Sequence, residues 1–93
     1  MSYVIVKHKV ADYASWKPSF DADGANRQAG GSQGGQLFRS ADDPNEVVML
    51  FEWDLEQARQ FSQSEALRAK LQEVGVLGPP DFYFLEAIEE LSR

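Results

Sequence analysis

The sequence contains no cysteine, a single histidine, and no apolar run long enough to cross a membrane. The lack of cysteine excludes disulfides, thiolate nucleophiles and thiolate metal sites. With one histidine, a metal site would need oxygen ligands, and no spacing of carboxylates singles out such a set, so we predict no metal. No charged segment followed by a long apolar stretch precedes the first strand-like residues. We therefore expect a cytoplasmic protein with no membrane partner.

Basic residues are also scarce. The chain has 9 lysines and arginines against 15 acidic residues, which gives a net charge of −6. The densest basic feature is the pair Lys7 and Lys9. Because binding to phosphates needs a concentrated basic face, we predict no nucleic-acid partner.

The most informative segment that is present lies at residues 46–54, EVVMLFEWD. Its unbroken apolar run, residues 47–51, is too short for a typical helix and follows turn-forming residues, so we predict a strand inside a sheet. Four side chains share one face of this strand at a period of two: Val47, Met49, Phe51 and Trp53. Val48 and Leu50 point to the other face, so both faces need to be covered.

The residues before the glycine-rich region predict a strand followed by a helix. Alternation indicates a strand over residues 3–10, with one face made of Val4, Val6, His8 and Val10. Asp12 stands at the N-cap of a helix with an aromatic stripe of Tyr13, Trp16 and Phe20. We expect this helix to continue irregularly to about residue 28, because Pro18 and Gly24 disfavour a regular helix interior.

A glycine-rich connector, residues 30–35, leads to a short second strand predicted over residues 36–40. Residues 42–45, Asp-Asp-Pro-Asn, form a tight turn, so the second and central strands make a hairpin. The connector lacks the Gly-Lys-Ser/Thr ending of a phosphate-binding loop. It is therefore interpreted as a plain linker or as a mobile lid.

Asp54 is a predicted N-cap, and residues 62–65, Ser-Gln-Ser-Glu, have the spacing of a second capping box, which indicates that the second helical region breaks and restarts. Gly75 ends this region, and residues 78–80, Gly-Pro-Pro, prevent its continuation. A fourth strand is predicted over residues 81–89.

The order strand, helix, hairpin, helix, strand is the βαββαβ arrangement of an α+β ferredoxin-like sandwich with a four-stranded antiparallel sheet. At 93 residues the chain forms one domain, and its two helical regions cover only one face of the sheet. The other face keeps an apolar area larger than a monomer normally exposes. We therefore predict a symmetric homodimer in which two sheets pair face to face as a dimeric α+β barrel.

Four segments carry a resemblance to a known family: residues 3–10 (YVIVKHKV), 12–21 (DYASWKPSFD), 52–53 (EW) and 64–67 (SEAL). Over essentially its whole length the chain resembles the antibiotic biosynthesis monooxygenase-like family of the dimeric α+β barrel superfamily. The resemblance is specific for the fold and loose for the function. Members include cofactor-independent oxygenases of polycyclic phenols, heme-degrading enzymes and small-ring isomerases.

The heme-degrading branch can be compared residue by residue. Its members use a tryptophan on the second helix and an axial histidine further along, and the matching positions here are Phe61 and Leu71. The resemblance therefore implies no iron ligand and no heme. We predict that the protein uses no cofactor.

His8 is the only side chain whose ordinary pKa lies in the physiological range. One interpretation makes it a catalytic general base, or a hydrogen-bond donor, for a phenol or carbonyl bound between sheet and helices. The other makes it a half-buried histidine at the end of a strand, bonded to a neighbouring carboxylate.

Five aromatic residues are candidates to line a pocket for a small aromatic ligand: Trp16, Phe20, Trp53, Phe61 and Tyr83. Most aromatic residues at helical or strand spacing belong to a core, so we expect at most two of them to contact a ligand. Arg39 and Glu52 are interpreted as a cross-strand ion pair. The alternative is that they orient a polar substrate, with Arg39 as a substrate-binding residue.

Two functions from different classes remain open. The first is a cofactor-independent monooxygenase-like enzyme that acts on a small aromatic or polyketide-like compound, with His8 as acid and base and Trp16 and Trp53 as walls. The second is a non-catalytic homodimer that binds a small ligand or serves as an accessory protein.

Overall fold

A computed structural model describes residues 1–92 of the protein. In the described part of the chain, four strands form one antiparallel sheet in the order β2-β3-β1-β4. The strands are β1 (Ser2–Val10), β2 (Ser32–Arg39), β3 (Glu46–Trp53) and β4 (Val76–Glu86). The helices are α1 (Tyr13–Ala22), α2 (Gly24–Ala29), α3 (Leu55–Ser62) and α4 (Glu65–Glu73). This confirms the ferredoxin-like arrangement, with each predicted helix divided in two.

The pairing of β1 with β3 builds the centre of the sheet. Burial alternates residue by residue along β3, as its sequence predicts for a strand with one face in the core. The antiparallel register sets three buried pairs on that face: Val4 with Phe51, Val6 with Met49, and His8 with Val47. The hydrophobic core therefore lies between this face and the helices, where it includes Trp16 and Ala58.

Two predicted helix starts, at Asp12 and Asp54, are confirmed, whereas the second helical region restarts at a cap formed by Ser64 and not by Ser62, the first residue of the predicted capping box. The side chain of Asp12 accepts a hydrogen bond from the backbone N–H of Ser15, and Asp54 and Ser64 cap α3 and α4 in the same way. The first helical region passes through Pro18 but breaks at Asp23, so α2 is a separate six-residue helix. Each helical region therefore consists of two consecutive helices.

The predicted start of the second strand at residue 36 was wrong, because β2 begins at Ser32 and includes the glycines assigned to a connector. The register between β2 and β3 shifts between Ser32 and Gly35. A Cβ atom on Gly35 would collide with the backbone carbonyl of Leu50. Glycine is needed here because β3 approaches the β2 backbone closely at this irregularity.

The predicted bounds of the fourth strand were also wrong. β4 runs over residues 76–86 and contains Pro79 and Pro80, whereas residues 87–89 are not in a strand. The pairing with β1 shifts register between Lys7 and Lys9, opposite this proline pair. Proline is tolerated because β4 is an edge strand and because the regular pairing with β1 is interrupted at the two residues that have no N–H group to donate.

The sheet face away from the helices keeps apolar side chains in solvent. Tyr83 is 51% exposed, Phe38 44% and Leu85 39%. Ile5 and Leu50, nearer the centre of the same face, are half-buried. The two helical regions thus cover only one face of the sheet, as the sequence predicts.

The predicted ion pair between Arg39 and Glu52 was wrong. Arg39 pairs in register with Val47 at one end of β3, whereas Glu52 pairs with Tyr3 at the other end. The Arg39 guanidinium instead lies over the ring of Tyr13, 4.7 Å from its centroid. Alternation along each strand could not reveal this offset because it does not fix the register between strands.

No helix within residues 1–92 combines the length and the apolar character needed to span a bilayer.

Candidate functional site

The candidate site lies between the sheet and the helices, where β1 presents His8 to α1. His8 is only 6% exposed. The imidazole ring of His8 makes an edge-to-face contact with the indole ring of Trp16, with centroids 5.7 Å apart and ring planes at 85°. Because β1 alternates strictly, the same face also carries Val4 and Val6, so the imidazole has apolar neighbours along its own strand.

Neither ring nitrogen of His8 has a hydrogen-bond partner among the described residues. The alternative interpretation, in which a neighbouring carboxylate binds this histidine, was therefore wrong. A buried polar group left without a partner costs about 1 to 3 kcal/mol, which makes this imidazole unusual within a core. The two nitrogens are available to a ligand that brings its own donor or acceptor.

Burial lowers the pKa of His8 to about 4, because desolvation penalises the charged imidazolium. At neutral pH the ring is therefore uncharged, with one nitrogen that donates and one that accepts. Only the neutral form can accept a proton from a substrate.

A cavity of about 70 Å³ adjoins His8. Its walls are largely apolar and aromatic and include Val4, Val6, His8, Trp16, Phe20, Met49, Phe51, Trp53, Phe61, Leu71 and Phe82. Strands β1, β3 and β4 contribute to this wall, so the cavity depends on the packing of these three strands against the helices. We call this space the inner cavity.

The aromatic rings of the wall hold one another in place. Trp16 stacks on Phe20 with centroids 4.8 Å apart, and Trp53 contacts Phe51 at 5.7 Å and Phe61 at 4.9 Å. The indole N–H of Trp53 donates to the carbonyl oxygen of Gly30 at 3.0 Å. Trp53 therefore offers a ligand an apolar surface, because its polar group already has a partner.

The structure brings together five of the seven predicted site residues: His8, Trp16, Phe20, Trp53 and Phe61 all line the inner cavity. Arg39 and Tyr83 do not line it. Arg39 packs over Tyr13, and Tyr83 pairs with Ile5 on the opposite face of the sheet. We therefore assign neither residue a role in this cavity.

Arg27, on α2, lines the inner cavity and was missed by the sequence analysis. Its guanidinium carbon lies 3.9 Å from the centroid of Phe20 and 5.9 Å from that of Phe51. The predicted helix to about residue 28 contained a signal, because Arg27 follows Phe20 by seven residues and would share its face in a continuous helix. The observed helix breaks at Asp23, so it is the packing of α2 that places Arg27 beside Phe20. A search for apolar residues at helical spacing does not include a charged residue such as Arg27.

Residues 1–92 contain no group of three or more histidine, cysteine, aspartate or glutamate side chains placed to hold a metal ion. The two positions compared with the heme-degrading branch, Phe61 and Leu71, both lie in the wall of the inner cavity. Their side chains are hydrocarbon and offer no ligand to iron.

The overall fold is that of the antibiotic biosynthesis monooxygenases. SnoaB, a cofactor-independent oxygenase from Streptomyces nogalater, superposes with a TM-score of 0.75 at 15% identity, over 99% of this chain and 97% of its own. A solved antibiotic biosynthesis monooxygenase gives 0.69 at 17% identity, over 96% and 100% of the two chains. A protein from Mycobacterium tuberculosis gives 0.69 at 18% identity, over 98% of each.

No protein-family model matches this sequence, and no curated protein matches it. The likeness to solved structures therefore establishes the fold, and the chemistry of the site must be argued from its own residues.

The lowered pKa of His8 predicts a specific acid sensitivity. Between pH 6.5 and 4 the unfolded chain binds a proton that the folded chain does not, so stability falls as the pH decreases through this range. The full loss is roughly 3 kcal/mol. In the His8→Phe variant, which keeps an aromatic ring against Trp16, we expect this loss to disappear from urea unfolding curves recorded across the range.

A Lys9→Met variant serves as the control, because it removes the ion pair with Asp43 and leaves His8 in place. The backbone N–H of Asn45 and the ammonium of Lys9 both lower the pKa of Asp43. The ion pair between Lys9 and Asp43 therefore weakens when Asp43 is protonated at low pH. Equal acid sensitivity in the wild type and His8→Phe would show that His8 is not buried in its neutral form.

Proposed function

We propose that the protein is a cofactor-independent monooxygenase-like enzyme that acts on a small aromatic or polyketide-like compound bound between the sheet and the helices. The observation that carries this proposal is His8, a buried imidazole without a partner at the wall of an aromatic cavity. The fold shared with SnoaB, a cofactor-independent oxygenase, supports the same reading. Fold alone does not determine chemistry, so the site residues bear most of the argument.

The chemistry requires a base, a dry cavity and correct positioning. Neutral His8 accepts a proton from an acidic ring methylene of the substrate, and the resulting enolate gives its electrons to dioxygen as a carbon–oxygen bond forms. His8 returns the proton as water leaves, and the methylene becomes a carbonyl. The balance is R₂CH₂ + O₂ → R₂C=O + H₂O, so the substrate itself is the reductant.

A base whose pKa is about 4 in the empty site is weak towards such a substrate. Proton transfer creates an imidazolium beside an anion, and in a cavity of low dielectric constant each charge stabilises the other strongly. Apolar side chains exclude water from this pair. The basicity of His8 is therefore supplied by the bound substrate, which limits proton transfer to the occupied site.

The alternative, a non-catalytic protein that binds a small ligand, is favoured by one observation. The inner cavity of about 70 Å³ is smaller than the roughly 150 Å³ that accommodates benzene in an engineered protein core. A compact ligand would then fill the space without reaction. In that case ligands would raise the melting temperature of the protein, and no oxygen would be consumed.

Substitution of His8 distinguishes the two functions. With anthrone as an aromatic ketone that has an acidic ring methylene, we expect oxygen consumption by the wild type and a loss of about 10²- to 10⁴-fold in His8→Phe, because the variant has no proton acceptor. An oxygen electrode measures the rate, and thermal melting controls for folding. Wild-type turnover that persists in the folded variant would contradict the role of His8.

We also propose that the protein is a symmetric homodimer formed through the sheet face opposite the helices. Phe38, Tyr83 and Leu85 expose apolar surface there, next to the half-buried Leu50. A twofold axis would place this surface against its own copy and remove it from water.

A charge placed on this face tests the dimer. Leu50→Glu should dissociate it, because two like charges would be buried across the twofold axis. The control is Ala69→Glu, which introduces the same charge on the exposed surface of α4. Native mass spectrometry should find a dimer for the wild type and the control, and a monomer for Leu50→Glu. A monomeric wild type would overturn the proposal.

A further inference from the structure

A second space adjoins the inner cavity, on the side of α1, α2 and β2. It has a volume of about 550 Å³, and we call it the outer cleft. Its wall includes Lys17, Ser32 and the glycines at the irregularity of β2. Four residues line both spaces: Phe20, Arg27, Met49 and Phe51.

Arg27 therefore stands at the boundary between the two spaces. Its guanidinium lies against the face of Phe20, at 3.9 Å from the ring centroid, and within 5.9 Å of the centroid of Phe51. Contacts with two aromatic rings thus hold the guanidinium at the boundary between cleft and cavity. These contacts do not use its N–H groups as hydrogen-bond donors to another polar group.

The charge of Arg27 has no close partner in the described part of the chain. The ion pairs found within residues 1–92 use Lys7, Lys9 and Lys17, and none involves Arg27. Burial lowers the pKa of Arg27, and the carboxylates of Asp23 and Asp21 lie near enough to oppose this shift, but neither forms a close ion pair with it. Asp23 accepts a hydrogen bond from Asn26 at 2.6 Å, and Asp21 binds Lys17. A half-buried guanidinium with free donors is suited to bind an anionic oxygen.

Ser32 adds a second group to the cleft. Its buried hydroxyl accepts a hydrogen bond from the backbone N–H of Gly34 at 3.1 Å, and no described residue accepts one from it. The glycines beside it carry no side chain to cover the cleft wall. Gly34 and Gly35 thus leave the approach to Arg27 open on this side of the cleft.

The size of the inner cavity determines how a ligand would use both spaces. At about 70 Å³ the cavity does not hold a whole aromatic ring system, since benzene occupies a cavity of roughly 150 Å³. An aromatic ligand that reaches His8 must therefore extend past Phe20 and Phe51 into the outer cleft. The part of the ligand at this boundary meets the guanidinium.

We propose that Arg27 binds an anionic oxygen, and that the ligand of this protein is an aromatic compound bearing a carboxylate or an equivalent acidic oxygen. The ring lies between the inner cavity and the boundary, and the anionic group pairs with Arg27 on the side of the outer cleft. This inference deepens the proposed function and rests on it, because it names the class of compound that the same site takes.

Matched probes test the proposal by isothermal titration calorimetry, without any need for turnover. The probes are 2-naphthoate and its neutral analogue 2-naphthalenemethanol. We expect the wild type to bind the carboxylate at least 10-fold more tightly than the alcohol. Arg27→Gln should weaken the carboxylate about 10- to 100-fold and leave the alcohol within about twofold, whereas Arg27→Lys should retain part of the preference.

Lys17→Gln is the matched control, because it removes a positive charge from the same cleft. The ammonium of Lys17 already binds the carboxylate of Asp21 at 2.6 Å, so this variant should keep the wild-type preference. If Arg27→Gln fails to fold, the wild type alone still gives a test. Added sodium chloride should weaken the carboxylate and leave the alcohol unchanged.

The outcomes separate the two proposals. Equal binding of both probes by the wild type, or a preference that survives in Arg27→Gln, would overturn the role of Arg27 and leave an aromatic site in place. A preference that depends on Arg27, found together with a wild type that consumes no oxygen, would support the anion site and overturn the proposed enzyme. Binding of neither probe would overturn the ligand class.

Discussion

The antiparallel pairing of β1 with β3 is the constraint on which the rest of the structure depends. Its register sets His8 opposite Val47 and carries both residues to the face that the helices cover. A shift of one residue would turn the imidazole to the other face of the sheet. The alternation of apolar residues on both strands prevents such a shift, because it would move the buried valines out of the core. The position of the candidate base is therefore enforced by hydrophobic burial and not by any polar contact.

This arrangement combines the favourable burial of apolar side chains with the unfavourable burial of a polar one. The core gains from burying the valines of β1, while the imidazole beside them loses its water without gaining a protein partner. Strain of this kind persists only where the surrounding packing determines it, and it commonly marks a site of function. The ring contacts of Trp16 with His8 and with Phe20 link the imidazole to the boundary where Arg27 lies. A neutral base and a fixed cation thus occupy two ends of one aromatic wall.

Sequence patterns predicted the parts of the fold that depend on interactions between residues close in sequence. The alternation of β3 and the caps at Asp12 and Asp54 require only neighbouring residues, and all are found. The restart of the second helical region was also predicted, but its cap is Ser64, two residues beyond the start of the predicted capping box. The bounds of β2 and β4 were wrong because glycines and prolines were read as ends of strands, whereas pairing with neighbouring strands accommodates them at irregularities. Tyr83 was misplaced for a related reason, since alternation groups residues by face without showing which face the helices cover. Arg27 was missed because its environment is created by tertiary packing.

The most direct test of this account is the titration of His8 by nuclear magnetic resonance. Because the chain has a single histidine, its imidazole signals cannot overlap with those of another histidine, and the ring ¹⁵N shifts report this residue alone. In the ligand-free protein we expect a pKa of about 4, with a neutral ring at pH 7. A pKa at or above the ordinary value of 6.5 would mean that the imidazole is hydrated or paired. The buried, unpartnered base at the centre of this account would then not exist.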